Sequence, residues 1–396
     1  MFLTDPCKAL RDWTPGPTSC CRRGRLGSAL IDVPRATSDD RGMSRPTVID
    51  LAREAGVSLA TVDRVLNARP GVSDRKVMAV RDAVARLGYV RDVAAANLAR
   101  GRDTRVAVVL PSGGSQFVET LARAFGEAAR VAAASRTRVD ILRVPPEDPH
   151  ALAAALAAVD GDVAGVALMA AETPLARDAI RALHARGVPV ITVASDLPGT
   201  ERARFVGIDG FDAGRTAGVL MGRFLGERPG RGLAQVAVLA PSMLLRDSVE
   251  RRRGFDAVLL ERFPHVEALP TLETHGADDA PARLLAEVLT HAPRLRGVYL
   301  MGSGLRALDD ALGALRWPER PVVIAHELTP HARVALEEGR LDAVVAQNAG
   351  HLARSALRLI RARVDGLPVD EGQERLRIEI ILQENLGSSV IEDGEG

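Results

Sequence analysis

The feature that most constrains this chain is its rhythm after Arg105. Apolar runs rich in β-branched residues recur at 105–110, 138–144, 163–169, 188–194, 234–240, 296–301, 321–325 and 342–346. Helical stretches lie between most of them, at 117–134, 148–159, 174–186, 211–226, 246–262, 278–290, 305–315 and 331–338. A strand that is apolar along its whole length, rather than at alternate positions, has both faces covered. Strand–helix–strand repetition supplies that cover, because parallel neighbours are joined by crossovers and the crossovers are helices. The rhythm predicts parallel sheets with helices on both faces. Its extent suits two doubly wound subdomains of about 120–150 residues each.

Residues 46–101 follow another rule. A first helix is expected over about 47–54, with Val48, Leu51, Ala52 and Ala55 on one face. Gly56-Val57-Ser58 breaks it, and Ser58 is a good N-cap for a second helix over 59–67, striped by Val62, Val65 and Leu66. Pro70-Gly71 ends that helix. Ser73 caps a third, with Val77, Val80, Val84 and Leu87 inward and Gly88 closing it. A short Ala-rich segment, 93–100, runs up to Gly101. Two short helices joined by a tight glycine turn form a helix-turn-helix pattern. Leu59, Ala60 and Arg64 near the start of the second helix would then face base edges, and Thr61 would face phosphate. On spacing alone, an ordinary helix crossing with no DNA remains open.

Charge narrows the choice. The whole chain carries only +1. Residues 44–102 carry +5, residues 103–396 carry −6, and residues 1–43 carry +2. A small basic block ahead of a large acidic one implies that only the small block meets a polyanion. The basic residues themselves are skewed. Lys8 and Lys76 are the only lysines among 52, as expected of GC-rich coding with its Ala-rich background.

Several classes are excluded by composition. A hydrophobic content of 46% is too high for a disordered chain. No stretch approaches the roughly 18–20 apolar residues of a spanning helix. Pro6, Pro15, Gly16 and Pro17 interrupt the first 30 residues, which lack the apolar run of a secretory signal, so a cytoplasmic location is expected. Cys7, Cys20 and Cys21 all fall in the first 21 residues, so neither a disulfide framework nor a cysteine metal site is expected beyond them. Residues 1–43 show no sustained period and read as a disordered extension, with Met43 as an alternative start.

The string TVIDLAREAGVSLATVDRVLNARPGVSDRKVMAVRDAVARLGYV, residues 47–90, resembles the headpiece of the LacI/GalR family of bacterial transcription regulators. The resemblance continues through AAANLA (94–99) to about residue 387. It implies an N-terminal all-α helix-turn-helix headpiece followed by an α/β effector domain of the periplasmic-binding-protein-like type I, built of two doubly wound parallel-sheet subdomains. The implied division is a disordered extension (1–43), a headpiece (44–92), a hinge helix (93–102), a two-lobed effector and dimerisation domain (103–387) and a flexible tail (388–396). Helix 59–67 would lie in the major groove, with Thr47, Ser58, Leu59, Ala60, Thr61, Arg64 and Asn67 on DNA. The hinge segment would become helical only on DNA, paired with its copy from a second subunit. Ala95 and Leu98 would enter the minor groove there. Leu98 matches the family's wedging leucine, which kinks the duplex at a cost of about a few kcal/mol, offset by the contacts the bend opens.

Two positions depart from that pattern. Asp63 stands where a serine is usual beside the phosphates, and needs Arg64 or a cytosine amino group as partner. Arg91 replaces the usual proline before the hinge.

In open parallel sheets, ligands bind beyond the carboxyl ends of the strands. The candidate effector residues are therefore Ser115, Gln116 and Phe117, Ser195 and Asp196, Asp209, Gly302 and Ser303, Glu327 and Gln347. To these is added Arg251, which matches the family's R-x-x-G-F arginine. Carboxylates, guanidinium and amides around one aromatic suit a polyhydroxylated ligand, a sugar or cyclic polyol. Each of these residues can also serve merely as a cap or turn former, Asp196 and Asp209 above all. Gly302-Ser303-Gly304 stands where many members carry an aspartate, which leaves a sugar phosphate or a non-sugar metabolite open.

Two look-alikes are set aside. GSGLRA (302–307) imitates a dinucleotide fingerprint but falls late in the chain, away from the first strand that carries one. His326-Glu327 and His331 imitate a zinc helix, but the histidines are five apart with Pro330 between them. No catalytic residue, cofactor, metal or membrane contact is expected. The expected function is that of an effector-responsive repressor of carbohydrate or polyol genes, acting as a homodimer on a pseudo-palindromic operator. The alternative is a sugar-binding receptor without a DNA function.

Overall fold

The computed structural model describes residues 46–66, 70–89, 103–113, 115–133, 136–227, 232–275, 280–317 and 319–387. The chain divides into two compact units between Arg91 and Asp92. The expected extension, hinge and C-terminal tail (1–43, 93–102 and 388–396) lie outside the described residues.

The first unit is built of α1 (Val48–Ala55), α2 (Leu59–Leu66) and α3 (Asp74–Leu87). Thr47 stands one residue outside α1, as its N-cap. Its hydroxyl accepts from the Asp50 amide at 3.3 Å, while the Asp50 carboxylate accepts from the Thr47 amide at 2.9 Å. This reciprocal pair satisfies amides that the first turn leaves open. Gly56 ends α1 at φ 63°, where a side chain would be strained. Leu51, Ala52, Val62, Val80 and Ala83 form the core, with Val65, Leu66, Val84, Leu87 and Tyr89 packed against it. Arg86 donates to Glu54 at 2.8 Å and ties α3 to α1.

The second unit has two lobes. In the first, β1 (Thr104–Pro111), β2 (Thr137–Val144), β3 (Val163–Leu168), β4 (Val190–Val193) and β5 (Arg204–Val206) form a parallel sheet in the order β2-β1-β3-β4-β5. Helices α4 (Gln116–Ala133), α5 (Pro149–Ala157) and α6 (Pro174–Ala185) connect its first four strands. The chain then passes through 207–209 into α7 (Gly210–Leu225) and the second lobe. There β6 (Ala234–Ala240), β7 (Val266–Glu273), β8 (Leu295–Leu300), β9 (Val322–His326) and β10 (Ala343–Ala346) alternate with α8 (Arg246–Arg262), α9 (Ala280–His291), α10 (Leu305–Ala314) and α11 (Pro330–Glu337). After Gln347-Asn348 the chain returns as α12 (Ala349–Asp365), whose Leu352, Ala353, Ala356 and Ile360 complete the first lobe's core. A short α13 (Glu371–Glu374) precedes β11 (Glu379–Ile381), which pairs antiparallel with β10 in the order β11-β10-β9-β8-β6-β7.

The expected strands and helices are present with ends shifted by a residue or two. β5, β7, β11 and α12 were not among the expected runs. β7 hides its nature because Pro270 interrupts it. It is an edge strand, where a missing donor is tolerated, and its register to β6 shifts between Val236 and Val238, opposite that proline.

In the second lobe, α7 and α8 meet backbone to backbone where they cross at Gly214 and Gly254. Gly210, Gly214, Gly218 and Gly222 recur every fourth residue along α7, which puts them on one face. A Cβ on Gly214 would lie 2.0 Å from the Arg251 carbonyl oxygen, and one on Gly254 would lie 2.0 Å from that of Phe211. This contact fixes the position of Arg251.

Candidate functional site: headpiece helix and interlobe cleft

In the headpiece, Val62 faces the core while Leu59, Ala60 and Arg64 face solvent, Leu59 at 50% exposure. The exposed face of α2 is the one expected to read bases. Ser58 acts as its cap: its Oγ accepts from the Thr61 amide at 3.2 Å and lies 3.0 Å from the Thr61 hydroxyl. Thr47 is exposed at the start of α1, where the helix dipole favours an anion. Its hydrogen bonds with Asp50 hold that carboxyl below the usual carboxylate range. Asp63 is half-buried and engaged in a contact, so it is not a free charge beside Arg64. Asn67, Ala95 and Leu98 lie outside the described residues, as does Arg91.

In the second unit the strand ends converge on one buried polar network. Arg251, 3% exposed on α8, donates from Nη1 to the Met301 carbonyl at 2.6 Å, just beyond β8. The same nitrogen lies 3.4 Å from Asp247 Oδ2, one turn earlier on α8. Nη2 reaches Glu327 Oε1 at 3.4 Å, just after β9. Gln347, just after β10, donates from Nε2 to Glu327 Oε1 at 3.0 Å and from its amide to Oε2 at 3.4 Å. From the first lobe, the Ser195 hydroxyl after β4 donates to Asp247 Oδ1 at 3.0 Å. Ser195, Asp247, Arg251, Glu327 and Gln347 thus span both lobes.

Two backbone conformations aim this network. Ala194 and Glu327 adopt φ of 62° and 69° without being glycine, a local strain of the kind that clusters at ligand clamps. Burial pushes the Glu327 carboxyl up, against the opposing pull of Arg251 and the Gln347 hydrogen bonds. Beneath it, His326 Nε2 lies 2.8 Å from the Tyr299 hydroxyl, and Phe255 stacks on Tyr299 at 4.4 Å. Burial, and secondarily Arg251, depresses the His326 imidazole well below its usual value.

The remaining candidates are placed otherwise. Gln116 Oε1 accepts from the His331 amide at 3.4 Å, a second link between the lobes. Ser115 sits at the start of α4 with its Oγ 3.5 Å from the Val118 amide. Phe117 packs against the first lobe's core. Asp196 pairs with Arg202, whose Nη2 lies 2.7 Å from Oδ2, and accepts from the Leu197 amide at 2.8 Å. Asp209 caps α7 by accepting from the Asp212 amide at 2.9 Å. Gly302 lies against Pro241, and Ser303 is half-buried just before α10. The cap and turn roles foreseen for Asp196 and Asp209 are thus both occupied. Asp247 escaped the sequence reading. Its position one helical turn before Arg251 was the available signal, since i,i+4 neighbours share a helix face.

Among the described residues, no group of three or more His, Cys, Asp or Glu could hold a metal ion. No helix among them is long and apolar enough to cross a membrane.

Fold and site define a two-lobed α/β ligand-binding module preceded by a helix-turn-helix unit. Residues 106–368 match the family of the periplasmic binding protein domain, and residues 47–92 match the bacterial regulatory proteins of the lacI family. The chain belongs to the periplasmic-binding-protein domain family and carries a lacI-family headpiece ahead of that domain.

Among curated relatives, catabolite control protein A of Priestia megaterium is 42% identical over 77 residues, 19% of this chain and 23% of that protein. The HTH-type transcriptional regulator GntR of Pseudomonas aeruginosa is 38% identical over 92 residues, 23% of this chain and 27% of that protein. The chain therefore aligns with only about a quarter of the length of these relatives. Among solved structures, a glucose-galactose binding protein of Geobacillus stearothermophilus superposes with a TM-score of 0.62 at 18% identity, over 72% of this chain and 99% of that one. An ABC transporter solute-binding protein of Burkholderia graminis in complex with D-arabinose gives 0.64 at 20% identity, over 72% and 98%. At these identities the likeness is one of fold.

Proposed function

We propose that this protein is a ligand-responsive, DNA-binding transcription regulator. It acts as a homodimeric repressor on a pseudo-palindromic operator, with a sugar or polyol as effector in the interlobe cleft. The observation that carries the reading is α2: a helix after a glycine turn that buries Val62 and exposes Leu59, Ala60 and Arg64, inside a lacI-family headpiece. The net +5 of residues 44–102 against −6 beyond them supports DNA contact by the small unit. The sugar assignment draws on the sugar-binding proteins that share the fold and on the carboxylate, guanidinium and amide groups at the strand ends.

The mechanism is linkage. Effector binding changes the angle between the lobes, and that angle governs whether two copies of the hinge segment align, pair as helices and insert Leu98. An effector shifts this balance only by its differential affinity for the two states, typically about 1–3 kcal/mol. The test is a gel shift on palindromic DNA enriched on the protein from a random-core library, repeated at several salt concentrations. A steep loss of affinity with salt, together with preference for the enriched sequence, is expected. Equal binding to enriched and random DNA overturns the reading.

A further inference from the structure

We infer that the cleft of the second unit selects uncharged, hydroxyl-rich ligands and rejects the phosphorylated or carboxylated forms of the same sugars. This rests on the effector reading above and specifies the ligand's chemistry.

The argument is one of charge. An anionic ligand in a buried site needs positive charge that is not already neutralised. Arg251 is the cation at the floor, and it is held by its own lobe. Nη1 serves the Met301 carbonyl and Asp247, and Nη2 serves Glu327, while the buried Nε has no partner among the described residues and keeps one N–H that a ligand hydroxyl can accept. Two carboxylates thus face one guanidinium. With Glu327 ionised the trio carries −1, and with Glu327 protonated it carries zero. In neither state is positive charge left over for a phosphate. Three further arginines near the first-lobe strand ends and the start of α8 are matched as well. Arg143 donates to Glu119 at 2.8 Å, Arg202 pairs with Asp196, and Arg246 lies 2.8 Å from Glu250. Arg306 is exposed in the first turn of α10, where water screens it.

Ser195 shows what the floor accepts. Its buried hydroxyl crosses from the first lobe to donate to Asp247 at 3.0 Å. A sugar hydroxyl can replace it, donor for donor. A phosphate or carboxylate brings negative charge and acceptors only, and would set both against the Asp247 carboxylate. The site thus treats the Ser195 hydroxyl as a local stand-in for a ligand hydroxyl.

The experiment is calorimetric titration of the full chain, with thermal unfolding in parallel. The probes are D-arabinose, D-galactose and D-glucose against D-glucose 6-phosphate and D-gluconate. At least one neutral sugar should bind and raise the unfolding temperature, with both anions at least about 100-fold weaker. Asp247→Asn should narrow that ratio at least about tenfold. Should that variant unfold, Ser195→Ala, which frees Asp247 without changing its charge, should keep the preference for neutral sugar. An anion that binds as tightly as its parent sugar overturns the inference, as does a ratio unmoved in Asp247→Asn or no response to any neutral sugar. The two readings fail separately. Anion-selective binding with intact operator binding sinks only the charge rule. Neutral-sugar binding that leaves operator affinity untouched sinks only the regulatory role.

Discussion

Replacing Gly214 by alanine tests how the second lobe holds its arginine. The added Cβ would stand 2.0 Å from the Arg251 carbonyl oxygen and 2.7 Å from its carbonyl carbon and Cα. These are backbone atoms, so no rotamer change relieves the clash, and α7 and α8 must part by about 1 Å to reach ordinary contact. Overpacking costs roughly 1–3 kcal/mol, and a clash with backbone atoms that cannot rotate away lies in the upper part of that range, about 2–3 kcal/mol. Alanine recovers about 1 kcal/mol of helix propensity over glycine, leaving a net loss of about 1–2 kcal/mol. A domain of this size loses roughly 2–4 °C of melting temperature per kcal/mol, so the variant should melt about 2–8 °C lower. The same shift carries Arg251 away from the Met301 carbonyl, now 2.6 Å distant. Sugar-induced stabilisation should therefore shrink along with the melting temperature. Gly126→Ala in α4 is the control, because its Cβ would meet nothing within 4 Å. That variant should gain about 0.5–1 kcal/mol. If Gly214→Ala melts at or above the parent protein while Gly126→Ala gains as expected, the close crossing of α7 and α8 is refuted.

Arg251→Ala should cost about 3–5 kcal/mol, because it strands Glu327 and the Met301 carbonyl in a buried site, and should abolish ligand-induced stabilisation; denaturant midpoints with and without sugar measure both. Leu51→Ala should remove about 2–5 kcal/mol from a headpiece core of five buried residues. DNA affinity should then collapse while calorimetric sugar affinity stays intact, and a joint loss would contradict the division into two units. Burial depresses the His326 imidazole below its usual value of about 6.5, so below that pH the unfolded chain takes up a proton that the folded one does not. Its contribution to stability is complete above about pH 6.5 and is lost as the pH falls. Glu327 works in the opposite sense: burial raises its carboxyl above 4.5, so its contribution is complete below that pH and is lost as the pH rises through the folded value. His326→Gln should therefore narrow the drop in denaturant midpoint between about pH 7.5 and about pH 5.5, and an unchanged drop would clear His326 of the effect.

The doubly wound fold was legible because central parallel strands are buried on both faces and read as apolar runs of four or five residues, as Val106–Leu110 in β1, Val236–Ala240 in β6 and Gly297–Leu300 in β8 do. β5 and β11 escaped because three residues carry no period. β7 escaped because its proline suits only an edge strand. The headpiece helices were legible from Gly56, Ser58, Pro70 and Gly88, which mark their ends by local chemistry. The buried polar network between the lobes was half legible. Strand ends picked out Ser195, Glu327 and Gln347, and a motif picked out Arg251. Asp247 carries no strand-end signal, and only its place one helical turn before Arg251 separated it from a solvent-facing carboxylate. Asp209 and Asp196 illustrate the opposite limit. A carboxylate beyond a strand end reads alike from sequence whatever its partners in the fold, here the Asp212 amide at the start of α7 for Asp209 and Arg202 for Asp196.

The central claim is that α2 reads DNA through its exposed face. The most direct measurement is fluorescence anisotropy of a duplex enriched on the protein, titrated with the parent chain and with Arg64→Ala, against a random duplex at the same salt. The account predicts that the parent prefers the enriched duplex by about 10³-fold or more. Arg64→Ala should cut that preference by about 1–3 kcal/mol, roughly 5- to 150-fold, with little change on random DNA. A parent protein that binds both duplexes equally, or an Arg64→Ala variant that keeps the full preference, would contradict it.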